Sequence, residues 1–101
     1  MILVSVRGLP PESRNNHTRL QEIQRGIFTA FHSMLPEDTL RLKDLSFTWN
    51  DNPIWNAGEP VCLVLQELPE KFCEEKDELI GRIELWCREH MSGLDIEVVV
   101  R

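Results

Sequence analysis

The chain has 101 residues, of which 42% are hydrophobic and 28% are charged, and its formal net charge is -6. One domain over residues 1–101 fits this length, the hydrophobic share is too high for a disordered chain, and no apolar run approaches the roughly 20 residues of a membrane span. The acidic balance argues against a nucleic-acid partner, because phosphates attract Lys and Arg.

The first half of the chain predicts a strand, a helix and a second strand. Apolar residues alternate over Ile2–Val6, which is typical of a strand. Apolar positions spaced by three and four predict a helix over 18–34. Thr18 has capping-box spacing to Gln21, and Asn16 is a further candidate cap. Alternation returns at Leu45–Trp49 and predicts the second strand.

The second half predicts the same three elements again. The nearly continuous apolar run Val61–Leu65 indicates a strand covered on both faces. Acidic residues crowd the first turns of a helix predicted over 70–91, where the helix dipole favours anions and a solvated surface explains them. Residues Ile96–Val100 alternate once more and predict the last strand.

The two halves, about 1–50 and 59–101, repeat the same strand–helix–strand unit. Strand residues Ile2–Val6 and Val61–Leu65 are each followed, at the same spacing, by Leu-Pro and a helix. Right-handed strand–helix–strand crossovers would place both helices on one face of the sheet. We therefore expect an α+β domain, a tandem βαβ repeat (βαββαβ) with a four-stranded sheet and two helices on one face.

The other face of that sheet would carry Leu3, Ser5 and Val64, which is apolar enough to favour a partner. Charge is also uneven: residues 1–43 have a net charge of +2 and residues 44–101 have -8. Such asymmetry can steer head-to-tail contacts between subunits, although a solvated surface is the plainer explanation.

The cysteines indicate a reducing compartment. Cys62, Cys73 and Cys87 are odd in number and form no C-x-x-C pair, so reduced thiols in a cytoplasmic protein fit better than a disulfide framework. Cys87 and His90 share a helix face near Cys73, but a buried thiol and a dipole-matched histidine explain them without a metal. The sequence predicts no metal site, no cofactor and no catalytic constellation.

Three residues are candidates for an interface or a pocket. Trp55 lies between two turn clusters, and a loop tryptophan commonly anchors an interface or covers a pocket because its burial removes about 150–250 Å² from water. Trp49 carries a similarly large apolar surface on the second strand, and Ile2 begins the first.

The duplicated layout resembles the tautomerase superfamily, which includes macrophage migration inhibitory factor, and in particular a bacterial branch of it. The matching features are the N-terminal strand from Ile2, the segment Gly58-Glu59-Pro60 leading into the strand at Val61, the helix from about Glu70 and the closing strand Ile96–Val100. The resemblance implies a homotrimer with sheets facing inward.

The same resemblance implies acid–base catalysis by an N-terminal proline, and here the sequence departs from the family. Residue 2 is Ile2, and the nitrogens of Pro10 and Pro11 are amides that cannot take a proton. We therefore expect a non-catalytic or differently catalytic oligomer, without proline-dependent tautomerase activity, that binds a small anionic metabolite. The alternative is a ferredoxin-like module that binds another protein through its open sheet or the Trp55 loop.

Overall fold

The computed structural model describes residues 1–34, 40–49, 60–91 and 95–101. Its strands and helices follow the predicted order, with two short helices added. Bounds of these elements are β1 Ile2–Arg7, α1 Pro11–Arg14, α2 His17–His32, β2 Leu45–Trp49, β3 Val61–Gln66, α3 Glu70–Glu74, α4 Lys76–His90 and β4 Ile96–Val100. A single 3-10 turn, Leu42–Asp44, precedes β2. The predicted α+β architecture is confirmed.

The four strands form one mixed sheet in the order β2-β1-β3-β4. β1 is parallel to β2, β3 is parallel to β4, and the central pair β1 and β3 is antiparallel. In a ferredoxin-like split βαβ unit, another strand separates the two strands that a helix connects. Here each connected pair is adjacent, so the pairing decides between the two predicted layouts in favour of the tautomerase-like one.

Both long helices cover the same face of the sheet. Alternate residues of β1 and β3 point into one core with buried residues of α2 and α4, and the two helices pack against each other. Phe31 of α2 and Phe72 of α3 are almost fully buried and meet edge to face with ring centroids 5.1 Å apart. Burying an aromatic side chain of this size stabilises a fold by about 2–3 kcal/mol.

Two arginines hold the antiparallel helices together at their ends. Arg19 of α2 donates to the carbonyl of His90 at the end of α4. Arg82 of α4 donates to the Ser33 hydroxyl at 2.8 Å, just beyond α2. The first contact satisfies a carbonyl that a helix C-terminus leaves without an intrahelical partner.

The helix boundaries correct two details of the predictions. The cap of α2 is Asn16, whose side chain accepts from the Arg19 amide at 3.2 Å, so the helix begins before Thr18. The helix expected over 70–91 is divided at Glu75, whose φ of -114° and ψ of 32° are not helical.

Gly26 admits the indole of Trp86 between the two helices. A Cβ built on Gly26 would overlap the six-membered ring of Trp86. The half-buried indole packs against the core and stacks on His90, with ring centroids 4.7 Å apart. Close contact between the helices therefore explains a glycine that costs an isolated helix roughly 1 kcal/mol.

The internal repeat extends to backbone conformation. Gly8 and Glu67 occupy equivalent places after β1 and β3, and both have positive φ, 83° and 59°. Each is followed by Leu-Pro, whose proline carbonyl accepts a bond from the next helical turn. The same left-handed residue thus ends both strands, with glycine in one copy and a less favourable glutamate in the other.

Substituting Gly8 by alanine should destabilise the protein by about 2 kcal/mol. The left-handed backbone costs about 1–2 kcal/mol for a residue with a Cβ, and that Cβ would lie 3.0 Å from the Pro60 carbonyl oxygen. Thermal unfolding followed by circular dichroism measures the change.

Gly81→Ala is the matched control. Gly81 lies within α4 and a Cβ there meets nothing within 4 Å, so alanine should stabilise by about 0.5–1 kcal/mol. Equal melting temperatures for the two variants would contradict this account of Gly8.

Candidate functional site

The sheet has a second face, opposite the helices, whose residues lie outside the helical core. We call it the open face. Because partners in register point to the same side, its members follow from the strand pairing: Leu3, Ser5, Arg7, Ser46, Thr48, Cys62, Val64, Gln66, Glu97 and Val99.

The centre of the open face is apolar. Val64 is only 3% exposed although it does not belong to the core beneath the helices. Leu3 and Val99 are half-buried, as is Ser5 beside Val64. The expected placement of Leu3, Ser5 and Val64 on this face is confirmed, and their neighbours are small or neutral.

One end of the open face is charged. Arg7 of β1 pairs in register with Cys62 of β3, which in turn pairs with Glu97 of β4. Arg7 and Glu97 are exposed and Cys62 is half-buried. The three side chains therefore form a row across the sheet, with a cation and an anion on either side of a thiol.

The opposite end of the sheet is where β1 begins. Ile2 pairs with Leu45 and is 2% exposed, because its side chain belongs to the helical core. Charged side chains at this end include Lys43 and Asp44, directly before β2. After β3 and β4 come Glu67, exposed and left-handed, and Arg101, whose amide donates to the Leu65 carbonyl at 2.9 Å.

Two of the three sequence-predicted candidates, Ile2 and Trp49, lie apart in the sheet. Trp49 is half-buried at the far end of β2, in register with Val6, and stacks on Phe47 with ring centroids 5.9 Å apart. Ile2 lies four residues away along the paired strands, about 13 Å. Trp55, with Gly58 and Glu59, lies outside the described residues.

Cys87 and His90 do not share a site. Cys87 is fully buried, and desolvation with the nearby Glu84 carboxylate raises the pKa of its thiol to about 11. His90 is exposed, and its Nδ1 lies 3.0 Å from the Trp86 carbonyl. In the described part of the chain, no three His, Cys, Asp or Glu side chains are grouped to hold a metal ion.

Three clefts are lined by described residues of the helices. One of about 390 Å³ is lined mainly by acidic residues of α3 and α4, including Glu74 and Glu78, with Arg82 at its edge. Arg82 is neutralised there by Glu78 at 2.8 Å. A second, of about 280 Å³, lies between α4 and β4, and a third, of about 260 Å³, lies over Gly26 beside Trp86. Each is lined by at least one carboxylate and one arginine.

Sequence reasoning missed Phe72 as a core residue and Trp86 as a half-exposed one. Phe72 lies seven residues before Leu79, so the helical period could have identified it. Nothing in the local pattern indicates the Trp86 stack on His90, because that contact depends on Gly26 of the other helix.

No protein-family model matches this sequence, and no curated protein matches it. Among the helices of the described residues, none combines the length and apolar character needed to cross a membrane.

Solved structures do resemble the chain. A protein of unknown function from Vibrio cholerae has a TM-score of 0.68 at 10% identity, covering 99% of this chain and 75% of the other. A structure described as "F6 fused 4-OT wild type asymmetric trimer" has a TM-score of 0.64 at 11% sequence identity, covering 98% of this chain and 84% of the other. The structure of Pt0534 inactivated by 2-oxo-3-pentynoate has a TM-score of 0.58 at 14% sequence identity, covering 99% of this chain and 83% of the other. The chain therefore has a tautomerase-like fold.

Burial of Cys87 should make the protein lose stability in alkaline solution. The thiol pKa is 9.0 unfolded and about 11 folded, so above pH 9 the unfolded chain releases this proton more readily than the folded one. The free energy of unfolding should fall as pH rises from 9 towards 11, and Cys87→Ala should have a shallower fall.

Urea unfolding at several pH values measures this slope. Cys73→Ala is the matched control, since Cys73 is exposed and its loss should leave the slope unchanged. Identical slopes for wild type and Cys87→Ala would show that the thiol is not the group responsible.

Proposed function

We propose that this protein is a homotrimer of the tautomerase-like fold that binds a small anionic metabolite and lacks proline-dependent tautomerase activity. The observation that carries the proposal is the open face, where the apolar side chains of Leu3 and Val99 lie outside the helical core and are only half-buried. Residues 1–101 act as one domain in this proposal, with repeat halves at about 1–50 and 59–101.

A second and third copy are the occupants that fit the open face. Fused 4-OT of the same fold is described as a trimer. Apolar surface gains roughly 25 cal/mol per Å² when it leaves water, so covering the central row stabilises an assembly. Trp49, half-buried on the edge strand β2, and Trp55 are proposed to lie at the boundary between copies.

The residue at position 2 is the basis for proposing that proline-dependent tautomerase activity is absent. A general base must hold a free lone pair at the reacting centre, and Ile2 offers a hydrocarbon side chain packed into the core. No other group at this end of the sheet supplies a secondary amine. Ile2 is proposed to support the floor of a pocket at the subunit boundary without taking part in chemistry.

Arg101 gives this end of the sheet its anion preference. The residue is exposed, and among the described residues its guanidinium has no ion pair. A guanidinium binds a carboxylate through two parallel hydrogen bonds. A small 2-oxo acid is the ligand class that matches a cation above an apolar floor.

A reducing, cytoplasmic location in a bacterium completes the proposal. Cys62, Cys73 and Cys87 are all free thiols, which accords with a compartment that keeps thiols reduced. The similarity to a Vibrio cholerae protein supports a bacterial source.

The mass in solution should be three times the 11.8 kDa of one chain. Val99→Asp places a carboxylate on the open face and should yield monomers, because a buried unpaired charge is costly. Light scattering coupled to size exclusion measures both.

Leu85→Asp is the matched control. Leu85 is 52% exposed on the helix side, so its substitution should leave the trimer intact. A monomeric wild type at micromolar concentration would contradict the trimer, and the open face would then serve a different protein.

Small 2-oxo acids should stabilise the protein without being turned over. A ligand at 100 times its dissociation constant adds about 2.7 kcal/mol to the free energy of unfolding. Arg101→Gln should abolish the thermal shift with pyruvate and 2-oxoglutarate, whereas Arg25→Gln on exposed α2 surface should retain it. Measurable keto–enol interconversion by the purified protein would contradict the absence of tautomerase activity.

A further inference from the structure

The row formed by Arg7, Cys62 and Glu97 differs from the rest of the open face. Neighbouring strands lie about 4.8 Å apart, so the two charged residues are separated by two strand spacings, about 10 Å, with Cys62 between them. The adjacent row, Ser5, Val64 and Val99, has no charge. A cation and an anion therefore lie on one side of the apolar centre.

Neither charge has a partner among the residues that the structure describes. Arg7 and Glu97 are exposed, and within the described residues neither side chain has an ion pair or hydrogen bond. The arginine–glutamate pairs that do form lie within the helices: Arg19 with Glu22, and Arg82 with Glu78. On the open face, Arg7 and Glu97 therefore carry opposite charges that have no ion-pair partner among the described residues.

A second copy is the occupant whose charges complement this row. Any assembly that covers Val99, which is half-buried two residues from Glu97 on β4, also takes Arg7 and Glu97 partly out of water, and a buried charge without a partner is strongly destabilising. An identical surface brings one anion for the cation and one cation for the anion. The net charge of +2 over residues 1–43 and -8 over 44–101 has the same polarity as this pair.

We propose that Arg7 of one copy pairs with Glu97 of the next, and that this pair fixes the register of the trimer whose existence is the proposed function above. Such a contact is head to tail, and head-to-tail contacts close into a ring when the rotation permits. Apolar burial at Leu3 and Val99, which are half-buried in the single chain, supplies affinity, and the pair selects the arrangement.

Charge reversal tests the pairing. Arg7→Glu and Glu97→Arg each place like charges in contact, so each should raise the dissociation constant of the trimer at least tenfold, or about 1.4 kcal/mol. The double variant restores opposite charges and should return to within threefold of wild type. Sedimentation equilibrium over a range of concentrations measures all four proteins.

Arg25→Glu and Glu89→Arg are the matched controls. They make the same reversals at exposed positions on the helix side and should leave the dissociation constant unchanged. Circular dichroism melting of each variant confirms that the monomer is folded, which separates lost association from lost structure.

The outcomes distinguish this inference from the proposed function. If wild type is a trimer and neither single reversal changes its dissociation constant, the Arg7–Glu97 pairing is wrong and the proposed trimer is unaffected. The same conclusion follows if the double variant is folded but its dissociation constant does not return towards that of wild type. A wild-type monomer overturns both. Weakening by each single reversal with recovery in the double variant supports the pairing.

Discussion

The antiparallel pairing of β1 with β3 is the contact on which the rest of this structure depends. Each half of the chain is a βαβ unit with one apolar helix, and neither unit alone has enough surface to bury it. Joining the units through their first strands places the alternate residues Val4 and Val6 beside Leu63 and Leu65 under both helices. The helices then run antiparallel, and Arg19 and Arg82 can reach across to the opposite ends.

The two halves share geometry more than chemistry. Both strands end in a left-handed residue followed by Leu-Pro, yet that residue is Gly8 in one half and Glu67 in the other. A glutamate there accepts a conformational cost that glycine avoids. Similarly, Gly26 of α2 leaves space for the indole of Trp86 of α4. Glycine lowers the helix propensity of α2 at this position, and α4 can pack closely against it.

The first position of β1 contributes to packing of the core. What β1 contributes at its first position is a buried hydrocarbon, and Ile2 fulfils that role in the core. On the side of the sheet away from the helices, the described residues form the open face, which carries the row of Arg7, Cys62 and Glu97.

Local patterns in the sequence determined the elements, their order and which residues face the core, because side-chain periods of 2 and 3.6 follow from backbone geometry alone. The repeat at Ile2–Val6 and Val61–Leu65 also predicted the tandem architecture. Only the tertiary structure decided between neighbouring and split βαβ units, since that choice depends on which strands pair across the middle of the chain. It likewise decided that Ile2 and Trp49 lie at opposite ends of the sheet and that Arg7 and Glu97 lie in one row: register joins residues that are far apart in sequence, and no local period encodes it.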